Sequence, residues 1–250
     1  MSLPALEHVQ KDGFRLRGLG MSRIDAFSDV VFGFALTLLV VSLDAPKTYA
    51  QLHASLRGFV PFAIGFVILM RIWRSHYQFF RRFGTHDLGT IRINSALLFV
   101  VLLYVYPLRF LLAVVSFGAA PPSDASGHNL MQLIVLYGFG IAAINLLLAA
   151  LYWNGLRQRR ELGLSRLEEL LTRGYIADLL VVAVTGLLSS LTAWLLPEEH
   201  AGYGGLVYLS IPIIRPIMAR MARKRVANFE ALEKLTATPH PRPAEPAPTP

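Results

Sequence analysis

Six apolar segments, at residues 24–43, 56–73, 91–117, 130–153, 175–196 and 206–221, dominate this chain and leave it one environment in which to fold. A helix needs about 20 apolar residues to cross a bilayer, and five of the segments meet that length. The sixth is interrupted by Pro212, Arg215 and Pro216. Helix-breaking prolines are tolerated in a membrane where neighbouring helices satisfy the freed carbonyls. Charged residues make up 16% of the 250 residues and hydrophobic ones 54%. An ordinary globular domain carries about 25% charged residues, so the expected class is all-α integral membrane, with six transmembrane helices. The first segment is too long, and too interrupted by Asp29, to read as a cleaved secretion signal, so it is expected to be retained.

The distribution of basic residues sets the expected orientation. Lys11, Arg15, Arg17 and Arg23 precede the first segment, and Arg74, Arg81, Arg82 and Arg92 lie between the second and third or at the very start of the third. Arg157, Arg159, Arg160, Arg166 and Arg173 lie between the fourth and fifth, and Arg220, Arg223, Lys224 and Arg225 end or follow the sixth. The first intervening loop and its junction with the second segment hold only Lys47 and Arg57, and the third and fifth loops hold none. Excess Lys and Arg marks the cytoplasmic side, so both termini are expected there. The expected organisation is a cytoplasmic arm at 1–22, a six-helix membrane domain at 23–222 and a cytoplasmic tail at 223–250. Residues 219–235 suit an extension of the last helix. Residues 239–250, with six prolines, suit an extended, disordered end. The net charge of +8 is assigned to topology, because the basic residues flank apolar spans and form no nucleic-acid stripe. The chain has no cysteine, which excludes disulfides and thiolate metal sites.

The most informative local feature is Asp29, which enters an apolar run unbroken by charge from Val30 to Leu43. A carboxylate inside a spanning helix costs roughly 2.5 kcal/mol or more, so it must face protein or water. On a helical wheel Val30, Phe34, Leu38 and Val41 share one sector, with Thr37 at its edge and Phe27 a turn below. Ser28 and Asp29 point away from that sector. Trp73 and His76 at the end of the second helix, and Asn94 at the start of the third, share the expected depth of Ser28 and Asp29. A carboxylate, a hydroxyl, an imidazole and an amide can satisfy one another there. Packing alone accounts for an apolar stripe, and simple pairing accounts for a buried histidine.

Arg23-x-x-x-Phe27-Ser28-Asp29, followed by Thr37-Leu38-Leu39-Val40-Val41, resembles the first-helix signature of the transmembrane protein 175 family. These are potassium channels of endolysosomal type and their prokaryotic relatives. The likeness extends to Trp73-x-x-His76 and to Asn94 and Pro107. It implies a homotetramer in the cell membrane, here a bacterial plasma membrane, with four first helices around a pore. The implied constriction residues are Phe34, Leu38 and Val41, with Thr37 adding a hydroxyl layer. Arg23, Phe27, Ser28, Asp29, Trp73, His76 and Asn94 are the implied inter-helix polar network. One departure stands out: Phe34, preceded by Gly33, occupies a position where the family usually has an aliphatic residue. The expected partners are potassium ions, lipid and further copies of the chain, with no cofactor, resident metal, nucleic acid or catalysis. Two other readings stay open, namely proton conduction by the same architecture, and a non-transporting scaffold or integral-membrane enzyme using Asp29 and His76.

Other motifs carry less. Gly202-Tyr203-Gly204-Gly205 lacks the Thr-Val of a carbonyl-lined filter and reads as a turn entering the sixth helix. Gly138-Phe139-Gly140 lies within an apolar span and suits close helix approach. Seven scattered histidines show no metal-ligand spacing. Residues 157–173 read as a solvated cytoplasmic linker, and Asp178 as a structural bond to a neighbouring helix.

Overall fold

A computed structural model describes residues 9–10, 12–40, 48–115 and 126–236. The helices are α1 (Arg23–Val40), α2 (Tyr49–Phe83), α3 (Leu88–Val115), α4 (Gly127–Arg157), α5 (Arg166–Leu195), α6 (Tyr203–Leu206) and α7 (Ile211–Thr236). Short 3-10 turns, Glu198–His200 and Val207–Ser210, flank α6. Among the described residues there is no strand, and one isolated bridge joins Val9 to Arg15. By length and composition four stretches can cross a bilayer: Leu88–Leu108, Gly127–Arg157, Arg166–Leu195 and Tyr203–Asn228.

Local chemistry fixes the helix ends. Ser22 caps α1 reciprocally with Asp25: Ser22 Oγ accepts from the Asp25 N–H at 3.2 Å, and Asp25 Oδ2 accepts from the Ser22 N–H at 3.1 Å. Asp87 begins α3 by accepting from the N–H groups of Gly89 and Thr90 at 2.9 and 3.3 Å. Ser165 and Glu168 form a capping box at α5. Gly163, at φ +57°, supplies the left-handed residue in the turn between α4 and α5.

Several elements run longer than their apolar segments. α2 continues to Phe83, ten residues beyond Trp73, because Phe79, Phe80 and Phe83 are all buried on one side. α5 starts at Arg166, and α7 runs to Thr236, so the extension foreseen for residues 219–235 is helical. Pro107 sits inside α3, and the Tyr137 hydroxyl of α4 donates to its carbonyl. The Gly138 stretch acts as foreseen. A Cβ on Gly138 would lie 2.4 Å from the Gly186 carbonyl oxygen, so two glycines let α4 and α5 meet backbone to backbone.

α1 packs on α2 and α3, whereas α5 packs on α4, α6 and α7. Below them, Phe79 and Phe83 meet Tyr152 edge to face with ring centres 5.4 and 5.8 Å away, and lie tilted against each other at 5.2 Å. Phe14 of the N-terminal arm, fully buried, meets Phe83 at 5.7 Å. The arm is therefore part of the core. Residues 157–173 also depart from a purely solvated linker, since Glu168 is fully buried and ion-paired to Arg15 and Arg17.

Candidate functional site

The two faces of α1 have opposite fates. Ser28, Phe32, Ala35 and Leu39 are buried against the bundle. Phe27, Val30 and Phe34 are 62%, 70% and 58% exposed, and Gly33 and Thr37 are exposed beside them. Leu38 is half-buried and packs partly on the core. Val41 lies outside the described residues. The Thr37 hydroxyl donates to the Gly33 carbonyl at 2.7 Å, which leaves its oxygen lone pairs facing outward from the helix.

The buried side of the helix base holds two separate polar links. Trp73 Nε1 donates to Asp29 Oδ1 at 2.8 Å. Independently, Ser28, Asn94 and His76 form a chain across α1, α3 and α2, all nearly or fully buried. Its polarity can be worked out link by link. Ser28 Oγ donates to the Ile24 carbonyl at 2.7 Å, so it accepts from Asn94 Nδ2 at 3.0 Å. That places Asn94 Oδ1 against His76 Nε2 at 2.7 Å, and the imidazole must donate there. His76 Nδ1 is then left without a hydrogen-bond partner. The rings of Phe32 and Phe80, 5.4 and 4.8 Å away, enclose the imidazole.

Three expected members behave differently from the rest. Arg23 is exposed and makes no hydrogen bond or ion pair among the described residues. Phe27 lies on the open face of α1. Asp29 and His76 do not bond each other, although Asp29 contributes to the charge environment of the imidazole. A cavity of about 240 Å³ beside them is lined by Asp25, Asp29, His76, Phe80 and Arg81 together with the Gly18–Met21 stretch of the arm. Among the described residues no three His, Asp or Glu side chains converge closely enough to hold a metal ion.

Sequence reasoning missed the arm. Arg15 and Arg17 reach Glu168 across about 150 positions of chain, and Arg82 reaches Gln10 and Asp12. The Ser165-x-x-Glu168 capping signature was legible, but nothing local announced that two arginines would join it. Asp178 does bond a neighbouring helix, in a bidentate pair with Arg215 of α7.

Comparison with known proteins adds three findings. The family described as endosomal/lysosomal potassium channel TMEM175 matches residues 23–104, the stretch from the start of α1 into α3. A protein named potassium channel from Marivirga tractuosa is 37% identical over 216 residues, covering 80% of this chain and 87% of that relative. A potassium channel of Streptomyces collinus is 25% identical over 138 residues, covering 53% of this chain and 63% of its own. Among solved structures, a variant of the potassium channel MtTMEM175, in complex with a nanobody–MBP fusion, superposes with a TM-score of 0.75 at 34% identity. It covers 86% of this chain and 99% of its own.

Proposed function

This chain belongs to the TMEM175 family, and we propose that it is a potassium-permeable channel whose conduction path runs between the α1 helices of four subunits. In this reading six helices span a bacterial plasma membrane, with both termini in the cytoplasm. α1 and α2 join the four stretches that qualify by composition, the three charges of α1 (Arg23, Asp25 and Asp29) being why it falls short alone. Ions move down their electrochemical gradient, so no catalysis is involved.

The observation that carries the reading is the exposed face of α1. A helix held by buried Ser28, Phe32, Ala35 and Leu39 presents Val30, Phe34 and Thr37 outward at one angle, and the subunit itself covers none of them. Gathered around an axis, four copies would stack a phenyl layer and a hydroxyl layer along one path. Apolar constrictions gate by dewetting, so Phe34 and Leu38 would set an energetic barrier and Thr37 would offer oxygen lone pairs to a passing cation. Gly33 leaves open space beside Phe34, which gives the ring room to tilt.

The test is potassium flux through purified protein in liposomes. Flux changed by Phe34→Ala, Leu38→Ala or Thr37→Ala, with the tetramer retained, supports the assignment. A folded tetramer that passes no potassium sinks it. Reversal potentials under opposed potassium and proton gradients identify the carried ion.

A further inference from the structure

We propose that Arg17 and Glu168 are positioning residues for conduction: their ion pair ties the base of α1 to the α4–α5 turn and so sets the angle at which the helix enters the pore. The inference rests on α1 being the pore-lining helix.

Glu168 is fully buried in the first turn of α5, and six donors saturate its carboxylate. Oε1 accepts from the Arg15 N–H at 2.9 Å, from Arg17 Nη1 at 3.1 Å and from Arg15 Nε at 3.4 Å. Oε2 accepts from Arg17 Nη2 and the Ser165 N–H at 2.8 Å each, and from Arg15 Nη2 at 3.3 Å. The Arg17 guanidinium also donates to the carbonyls of Leu162 and Gly163, so it grips both sides of the turn. A planar fork with five donors suits this task and an ammonium does not.

From that clamp the chain has little slack before the pore helix. The N–H groups of Arg17 and Gly18 donate to the Arg81 carbonyl at 3.2 and 3.1 Å. Arg81 Nη1 returns bonds to the carbonyls of Gly18 and Leu19 at 2.8 and 3.4 Å. A Cβ on Gly18 would lie 2.2 Å from the Phe80 carbonyl oxygen, so the arm is pressed against α2 at that point. Only Gly20 and Met21 then separate the Leu19 carbonyl from the Ser22 cap of α1. Two residues span at most about 7 Å, so the arm dictates where α1 begins. α3 packs directly on α4, but α1 itself packs chiefly on α2 and α3. The arm therefore adds a second tie that runs from the base of α1 to the half of the bundle containing α4 and α5, and joins the two halves there. A rigid tie of this kind biases an open–closed balance if the halves shift relative to each other.

The chain has no cysteine, so a label at one introduced position is unambiguous. Met21, 78% exposed, takes a spin label as Met21→Cys. Glu168→Gln and Arg17→Gln are each made in the full chain, along with both together. The milder Arg17→Gln keeps Arg15 on the carboxylate and covers the case in which Glu168→Gln fails to assemble. The expected result is a potassium flux per tetramer altered about threefold or more. The distance distribution between Met21 labels broadens, the change in flux exceeds what the lost fraction of folded tetramer accounts for, and the double variant is no worse than Glu168→Gln alone. The proposal is overturned if flux tracks only the fraction of folded tetramer, or if labels and flux stay unchanged. Phe34→Ala serves as the control. If it alters flux and the clamp variants do not, the clamp is wrong. If it too is silent, the pore assignment fails first.

Discussion

The indole N–H of Trp73 donates to Asp29 Oδ1 at 2.8 Å, joining α2 to the carboxylate at the mouth of α1's apolar run. A hydrogen bond to a carboxylate contributes more than a neutral one, about 1.5–3 kcal/mol. Trp73→Phe removes the donor and part of the ring that stacks on Tyr77, so its expected cost is at least in that range. Asp29→Asn keeps an acceptor for the indole and should cost less. Thermal unfolding of the purified protein in detergent compares the two, and an order opposite to this one contradicts the assigned bond.

The Ser28–Asn94–His76 chain predicts non-additivity. Asn94→Ala leaves a buried hydroxyl and a buried imidazole without their amide, at a cost of about 1–3 kcal/mol for each orphaned group. With His76→Ala already in place, Asn94→Ala should cost less, because one of those groups is gone. A double-mutant cycle on unfolding midpoints reads the coupling, and additive penalties would rule the chain out as drawn.

Two glycines of α1 and α4 should respond in opposite ways. Gly138→Ala pushes a methyl to within 2.4 Å of the Gly186 carbonyl, and overpacking of this kind costs about 1–3 kcal/mol. Gly33→Ala meets nothing within 4 Å inside the subunit, so its unfolding midpoint should hold. Its effect should fall on potassium flux, since the added methyl lies beside Phe34. Loss of stability in Gly33→Ala with flux intact would reverse the assignment of that face.

Acid should loosen the junction of α2, α3 and α4 through Asp87. Partial burial pushes this carboxyl up, but bonds from Thr90, Gln158 and Asn154 outweigh it and hold it below the usual carboxylate range. A depressed folded value means that stability is present above the unfolded value near 4 and fades as pH falls toward the folded value. Asp87→Ala should therefore cost about 1 kcal/mol at pH 7, typical of a lost cap. The gap to the parent should begin to narrow below pH 4 and go on narrowing as pH falls. Unfolding midpoints across pH 3–7 check the sign.

Much of this molecule was legible before any coordinates. The apolar face of α1 follows from helical spacing, and the placement of Trp73, His76 and Asn94 near Ser28 and Asp29 follows from depth alone. What spacing could not settle was which donor meets which acceptor. Asp29 takes Trp73 and Ser28 takes Asn94, because two adjacent residues on a helix point 100° apart. Arg23 and Phe27 shared a motif with that network yet face away from it. A linear signature records neighbours in sequence, whereas contacts depend on the azimuth of each side chain.

The amino-acid order alone determined a multi-pass helical membrane protein, since a bilayer leaves apolar segments of this length no other way to satisfy their backbone. It also marked the α1 face and its polar base. Only the tertiary structure decided that the N-terminal arm is a strap, with Phe14 in the aromatic core and Arg17 on a buried Glu168. No periodicity encodes that arrangement, because it arises from chain closure over roughly 150 residues. Such contacts form only where packed helices bring distant segments to one place and exclude water from the charge between them.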